Sequence, residues 1–351
     1  MKKFEKEGVV ADPIASSQPA ISQPACILPE EERLLFRFHE PEQRLLSLDF
    51  LRGGAIFFMV LLNALYFYES VPGWLKHAPD DGLTLPDLGV PIFLFALGVS
   101  YRISLERWLE KAGLKKTIAH FILRYLVLWA FGFFGELMIF GHFTWGVLAT
   151  IGAIGLYALP LLFLPPVARL ILSLLLLMAY QGAILAGLPV YFIQDGLGGP
   201  LATFAWGFVV AVASTCGPWI KERFLQKKMI SSFLAGLALV LLGLFLSSFI
   251  PFNKHKVSLS YIIFTTGLSL IIFLFSFILI DVWKIREPVF IILGKNPLII
   301  YMLSGVLTLG LNAITPTDAS LAILFFESFI ILMINYAVAS LLARLKISLR
   351  V

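Results

Sequence analysis

The sequence predicts an all-α integral membrane protein of about ten transmembrane helices, with both termini in the cytoplasm. Three observations predict it. Of 351 residues, 59% are hydrophobic and only 14% charged, whereas ordinary soluble domains carry roughly a quarter charged residues. The apolar residues fall into runs near the ~20 needed to cross ~30 Å of hydrocarbon as a helix. The basic residues sit in the short stretches between those runs, and almost all on alternate ones. The net charge of +5 therefore reads as topogenic charge, not as a nucleic-acid surface.

The expected spans, in chain order, are 48–68, 85–104, 118–140, 143–164, 167–187, 199–219, 230–250, 258–281, 288–311 and 319–343. Helix is required because lipid offers no partner to an open backbone group, and none of the runs alternates as a barrel strand would. With ten spans, one side of the membrane receives Arg33, Arg37 and Arg44, then Arg102, Arg107, Lys111, Lys115 and Lys116. The same side receives Arg169, the basic residues between Lys221 and Lys228, Lys284 and Arg286, and Arg344, Lys346 and Arg350. The other side receives only Lys76, Lys254 and Lys256. That asymmetry places the termini inside.

Residues 1–43 form a separate region, rich in Pro, Ser and Gln, that reads as a flexible cytoplasmic tail. Residues 44–351 form the membrane domain. The three early lysines are not followed by the apolar stretch of a signal peptide. Cys26 and Cys216 are too few for a disulfide framework, and metal-ligand spacings, Gly-rich phosphate loops and Ser or Cys nucleophile signatures are absent from the sequence.

Two blocks carry chemistry. Arg44-Leu-Leu-Ser-Leu-Asp49-Phe-Leu-Arg52-Gly53-Gly54 opens the first span, which runs on to Asn63. Asp49 and Arg52 share a helix face, either as an internal ion pair or as a cationic mouth for a phosphorylated ligand. The second block, Lys76-His77-Ala-Pro-Asp80-Asp81-Gly82-Leu-Thr84-Leu-Pro-Asp87, lies between the first two spans on the outer side. His77 stands there among carboxylates, either solvated or as a general base whose ring Asp87, Asp80 or Asp81 would orient. Arg124 either snorkels or binds phosphate, and Lys295-Asn296-Pro297 marks a polar break at the start of the ninth span.

RLLSLDFLRGGAIFFMVLLNA and KHAPDDGLTLPDLGVPIFLFALG, with Pro251-Phe-Asn-Lys-His255 through Gly267 and Gly294-Lys-Asn296-Pro297-Leu-Ile-Ile-Tyr301, resemble the catalytic region of the heparan-alpha-glucosaminide N-acetyltransferase family. The resemblance spans most of residues 44–305. It implies a transmembrane acyltransferase, placed in the inner membrane as in that family's bacterial relatives. The reaction implied is transfer of an acetyl group from cytoplasmic acetyl-CoA, as co-substrate, to a sugar or lipid-linked sugar acceptor on the far side. The family's catalytic histidine falls on His77 and its first-helix asparagine on Asn63, with Asp87 in a matching turn. Gly146-Val-Leu-Ala-Thr-Ile-Gly152 lacks the arginine of that family's Gln-Arg pair. On this reading Arg52, Arg124, Lys295 and Asn296 hold the coenzyme, and Asn63 either donates to the oxyanion or bonds between helices. The expected partners are acyl-CoA, the acceptor and membrane lipid, with no metal and no nucleic acid; homo-oligomer formation is left open. The alternative is a small-solute transporter without acyl transfer.

Overall fold

The computed structural model describes residues 45–141, 145–187, 196–219 and 225–347. The expected tail 1–43, Arg44 and Lys221 lie outside those residues. Among the described residues every regular element is helical, as the solvent demands. Among the described residues six helices are long and apolar enough to cross a membrane, seven if one bent pair counts as a span, and two shorter apolar helices join them.

Helix α1, Leu46–Leu65, begins where Asp281 accepts from the Ser47 amide at 3.2 Å. Helix α2, Gly89–Phe140, is interrupted at Gly113, whose φ of 73° lies in the left-handed region. At 1.5 Å per residue a straight helix of this length would reach about 78 Å, far beyond one bilayer crossing. Instead it folds back on itself. Trp108 stacks on His120 at 3.9 Å, and Tyr101 lies 4.9 Å from Phe121 and 4.8 Å from Tyr125. Those pairs straddle Gly113, so the second and third expected spans are antiparallel limbs of a helical hairpin. The stretch 105–117 between them is helical up to the turn, where a loop was expected, because its charged residues alternate with Leu105, Trp108, Leu109 and Leu114 at helical spacing.

Helices α3 (Val147–Leu162) and α4 (Pro166–Leu185) follow. The expected span 199–219 is divided into α5 (Thr203–Ala213) and a single turn, α6 (Cys216–Trp219). Ser214 and Thr215 separate them, their hydroxyls donating back to Ala211 O and Val212 O. Helix α7, Leu225–Ser247, turns most of its apolar surface outward, only 11% of its span being buried, as a lipid-facing helix would. Helix α8, Leu259–Phe277, continues through a wider π turn at Ile278–Val282 and is 61% buried. The expected ninth span is a broken one: α9 (Pro288–Lys295) and α10 (Pro297–Asn312) meet at 92° across Asn296. Pro297 removes a backbone donor there. Helix α11, Leu321–Arg344, ends the described fold.

Helix α1 is central, and α9 crosses it at glycine. A Cβ on Gly53 would lie 1.7 Å from Phe290 O, and one on Gly294 1.8 Å from Asp49 O. Only bare backbone on both sides permits that approach.

The two ends of the bundle differ. At the loop end, the α1–α2 connection docks on the α7–α8 connection. Gly82 N donates to Phe252 O at 2.7 Å, and Asn253 Nδ2 donates to Asp80 and Asp81 at 2.7 and 2.9 Å. The α10–α11 connection joins them through Glu69 N to Thr317 O at 2.9 Å and Tyr68 Oη to Asn312 Oδ1 at 3.0 Å. At the opposite, basic end lie Asp49, Arg52, Arg102 and Arg169.

Candidate functional site

The loop-end site is built around Asp87. Leu85–Leu88 forms a short 3₁₀ turn with Pro86 near its start. Within it Asp87 Oδ2 accepts from the Thr84 amide at 3.0 Å and the Thr84 hydroxyl at 2.8 Å. Tyr261 of α8 donates its hydroxyl to the Asp87 carbonyl at 2.6 Å. The carboxylate is thus fixed from both ends. Its other oxygen faces His77 Nδ1 at 2.7 Å and the Lys254 ammonium at 3.5 Å.

This geometry decides between the three carboxylates left open by the sequence. Asp87 orients His77; Asp80 and Asp81 are taken by Asn253, and Asp80 also pairs with Lys256 at 3.6 Å. With Nδ1 donating to a carboxylate, Nε2 carries the lone pair. The imidazole is 23% exposed while the Asp87 side chain is fully buried, so a reactant can reach the ring but water does not reach the carboxylate. Tyr66 flanks the ring at 5.6 Å. Burial lowers the His77 pKa from its ordinary 6.5; the Asp87 hydrogen bond offsets part of this, and Lys254 and His255 add to the lowering. Burial also lowers the pKa of Lys254, against the pull of Asp87.

Asn63 lines a small cleft with Phe58, Met59 and Leu62 of α1, with Leu85 and Pro86 of the turn that holds Asp87, and with Gly89 at the start of α2. Sequence reasoning missed Lys254, Tyr261 and His255 as members of this site. Lys254 is brought to Asp87 by the docking of two loops distant in sequence, and His255 Nε2 donates to Ala78 O at 3.1 Å. The sequence singles out the Pro251–His255 stretch, but its spacing carries no sign of what it faces.

The proposed coenzyme ligands lie at the basic end. Arg52 sits 3.6 Å from Asp49 and donates to the Ser100 hydroxyl. Arg124 lies over the Tyr125 ring at 5.3 Å and the Phe121 ring at 6.0 Å. Arg52 and Arg124 both stand within electrostatic reach of the Tyr125 hydroxyl, so the fold brings these two together. Lys295 and Asn296 stand at the α9–α10 break, beside the Gly294–Asp49 contact, and the buried Asn296 amide donates to Ile347 O at 3.1 Å. From Arg52 to Asn63 is about 16 Å along α1. The divergent 146–152 segment has a packing duty: Gly146 leaves room for the Glu136 carboxylate, and Gly152 for Trp129. Glu327, unassigned by the sequence, accepts from the Thr315 hydroxyl at 2.9 Å.

Residues 44–152 match a family model described as a domain of unknown function, DUF5009. The match takes in α1, the His77–Asp87 connection, the α2 hairpin and the start of α3. No curated protein matches the chain.

Proposed function

We propose that this chain is a membrane-bound acyltransferase. It moves an acetyl or other acyl group from cytoplasmic acyl-CoA to an amine or hydroxyl of a sugar-containing acceptor on the opposite side of a bacterial inner membrane. Its about ten spans leave both termini in the cytoplasm, so the basic end faces inward and the loop end outward.

The observation that carries this reading is the His77–Asp87 hydrogen bond at 2.7 Å, at the opposite end of α1 from Arg52. The polyanionic part of the coenzyme would stay at the basic end, where Arg52 and Arg124 converge, because unpaired phosphates do not enter hydrocarbon. The thin thioester arm would run along α1 toward Asn63. There His77 Nε2 takes the proton from the acceptor as its nitrogen or oxygen attacks the thioester carbonyl. The C–S bond then breaks, and the imidazolium returns its proton to the leaving thiolate, giving acylated acceptor and free coenzyme A. General-base assistance of this kind is worth ~10²–10⁴-fold. Asn63, donating to the developing oxyanion, would add ~3 kcal/mol.

The 92° break between α9 and α10 is the feature that favours the transporter reading, since discontinuous helices line many solute pathways. Sealed proteoliposomes given labelled acetyl-CoA and a panel of amino sugars and glycans separate the two. Labelled product lost in His77→Ala supports transfer; solute flux without coenzyme turnover supports transport.

A further inference from the structure

Arg169 counts in the sequence as one of the charges that fix topology, and such charges stay in water. In the fold it is 1% exposed. Its Nε and Nη1 are buried without a hydrogen-bond partner. Arg102, of like sign, and Glu106 both act on it electrostatically. Glu106 is already shared, its Oε1 lying 2.9 Å from Arg102 Nε, while Arg102 Nη1 donates to the Leu162 carbonyl at 2.7 Å. Gly217 closes one side of Arg102, with its Cβ position 3.3 Å from the Arg102 side chain.

Arg169 also stands in the first turn of α4, where the helix dipole is positive and a cation is disfavoured. Pro165 supplies no side-chain cap, and the first turn holds no acidic residue. Two guanidinium groups and a helix N-terminus therefore face one carboxylate. A buried guanidinium with two unpartnered nitrogens is costly, and its planar donors match the paired oxygens of a phosphate.

The geometry points to a phosphate-binding site between Arg102 and Arg169, at the basic end of α2, α3 and α4, taking the phosphate of a soluble ligand or of an anionic lipid headgroup. The site is separate from Arg52 and Arg124, which gather at Tyr125, and it stands on the Arg169 environment whether or not the chain transfers acyl groups.

The test uses the full chain in phosphatidylcholine nanodiscs and follows thermal unfolding. One arm titrates inorganic pyrophosphate. The other substitutes phosphatidylglycerol into the disc and reads retained lipid by native mass spectrometry. At least one probe stabilises the wild type saturably, and the arm that responds identifies the source. Arg169→Gln weakens that probe by about tenfold or more, yet unfolds no earlier than wild type when no probe is present. Glu106→Gln, which keeps both arginines and removes the competing carboxylate, tightens the probe severalfold and decides the matter even if Arg169→Gln does not fold. The proposal is overturned if neither probe stabilises the wild type, if Arg169→Gln keeps the full shift, or if Glu106→Gln leaves affinity unchanged or weaker.

Discussion

Replacing Asp87 with Asn tests the loop-end site most sharply, because one carboxylate serves several partners. It accepts from His77 at 2.7 Å and from Thr84 at 3.0 and 2.8 Å, and it balances Lys254 at 3.5 Å. An amide there puts an NH₂ against the Thr84 donors or against His77 and Lys254, and it leaves the Lys254 ammonium, 7% exposed, without its counter-charge. Breaking a buried ion pair from one side costs about 3–5 kcal/mol. The imidazole also loses the acceptor that fixes its tautomer, so on the proposed mechanism the acyl-transfer rate should fall by ~10²–10⁴-fold. Two assays separate these effects: thermal unfolding in detergent by tryptophan fluorescence, and turnover of labelled acetyl-CoA. Adding Lys254→Met removes the stranded charge, so Asp87→Asn with Lys254→Met should recover most of the stability and none of the rate. The reasoning fails if Asp87→Asn keeps wild-type turnover, or if the double variant is no more stable than Asp87→Asn alone.

If His77 is the general base proposed, activity against pH should show an acid limb, since an imidazole accepts a proton only when neutral. Burial lowers its pKa beneath 6.5, so the rate should be near its plateau at pH 7 and fall as pH drops through a midpoint under 6.5; a midpoint above 6.5 contradicts this environment. Gly294→Ala would set a Cβ 1.8 Å from Asp49 O and 2.9 Å from Gly53 N. Backbone cannot step aside, so the variant should lose about 1–3 kcal/mol or more of stability, while Gly54→Ala, with nothing within 4 Å of its Cβ position, should unfold like wild type. Asn253→Ala removes both bonds to Asp80 and Asp81 and the acceptor of the Lys256 amide. Hydrogen exchange across 73–88 should then accelerate while the helices keep their protection, and unchanged exchange would mean that other contacts hold the loops together.

The helices were legible wherever hydrophobic length alone decides them. The first span, expected at 48–68, forms at Leu46–Leu65, and the last, expected at 319–343, forms at Leu321–Arg344. Legibility failed where backbone and hydropathy part company. Residues 105–117 are too charged to read as a span yet remain helical up to the turn, and only the left-handed Gly113 ends the first limb. Ser214 and Thr215 break span 199–219 through side-chain bonds that hydropathy does not see. In the site, His77 and Asp87 are ten residues apart on one connection, so both could be named and their pairing left to geometry. Lys254 and Tyr261 reach Asp87 only through packing between segments some 170 residues apart, and no local spacing encodes such a contact.

In the proposed transfer an imidazole held by Asp87 accepts a proton while a thioester is presented to it from the basic end. Proteoliposomes of known orientation, with labelled acetyl-CoA confined to the side of the basic end and acceptor confined to the other, measure this directly. The expected result is labelled acceptor on the far side with stoichiometric release of coenzyme A inside, and loss of both in a folded His77→Ala variant. Full transfer by His77→Ala, or product formed only when donor and acceptor share the loop-end side, would contradict it.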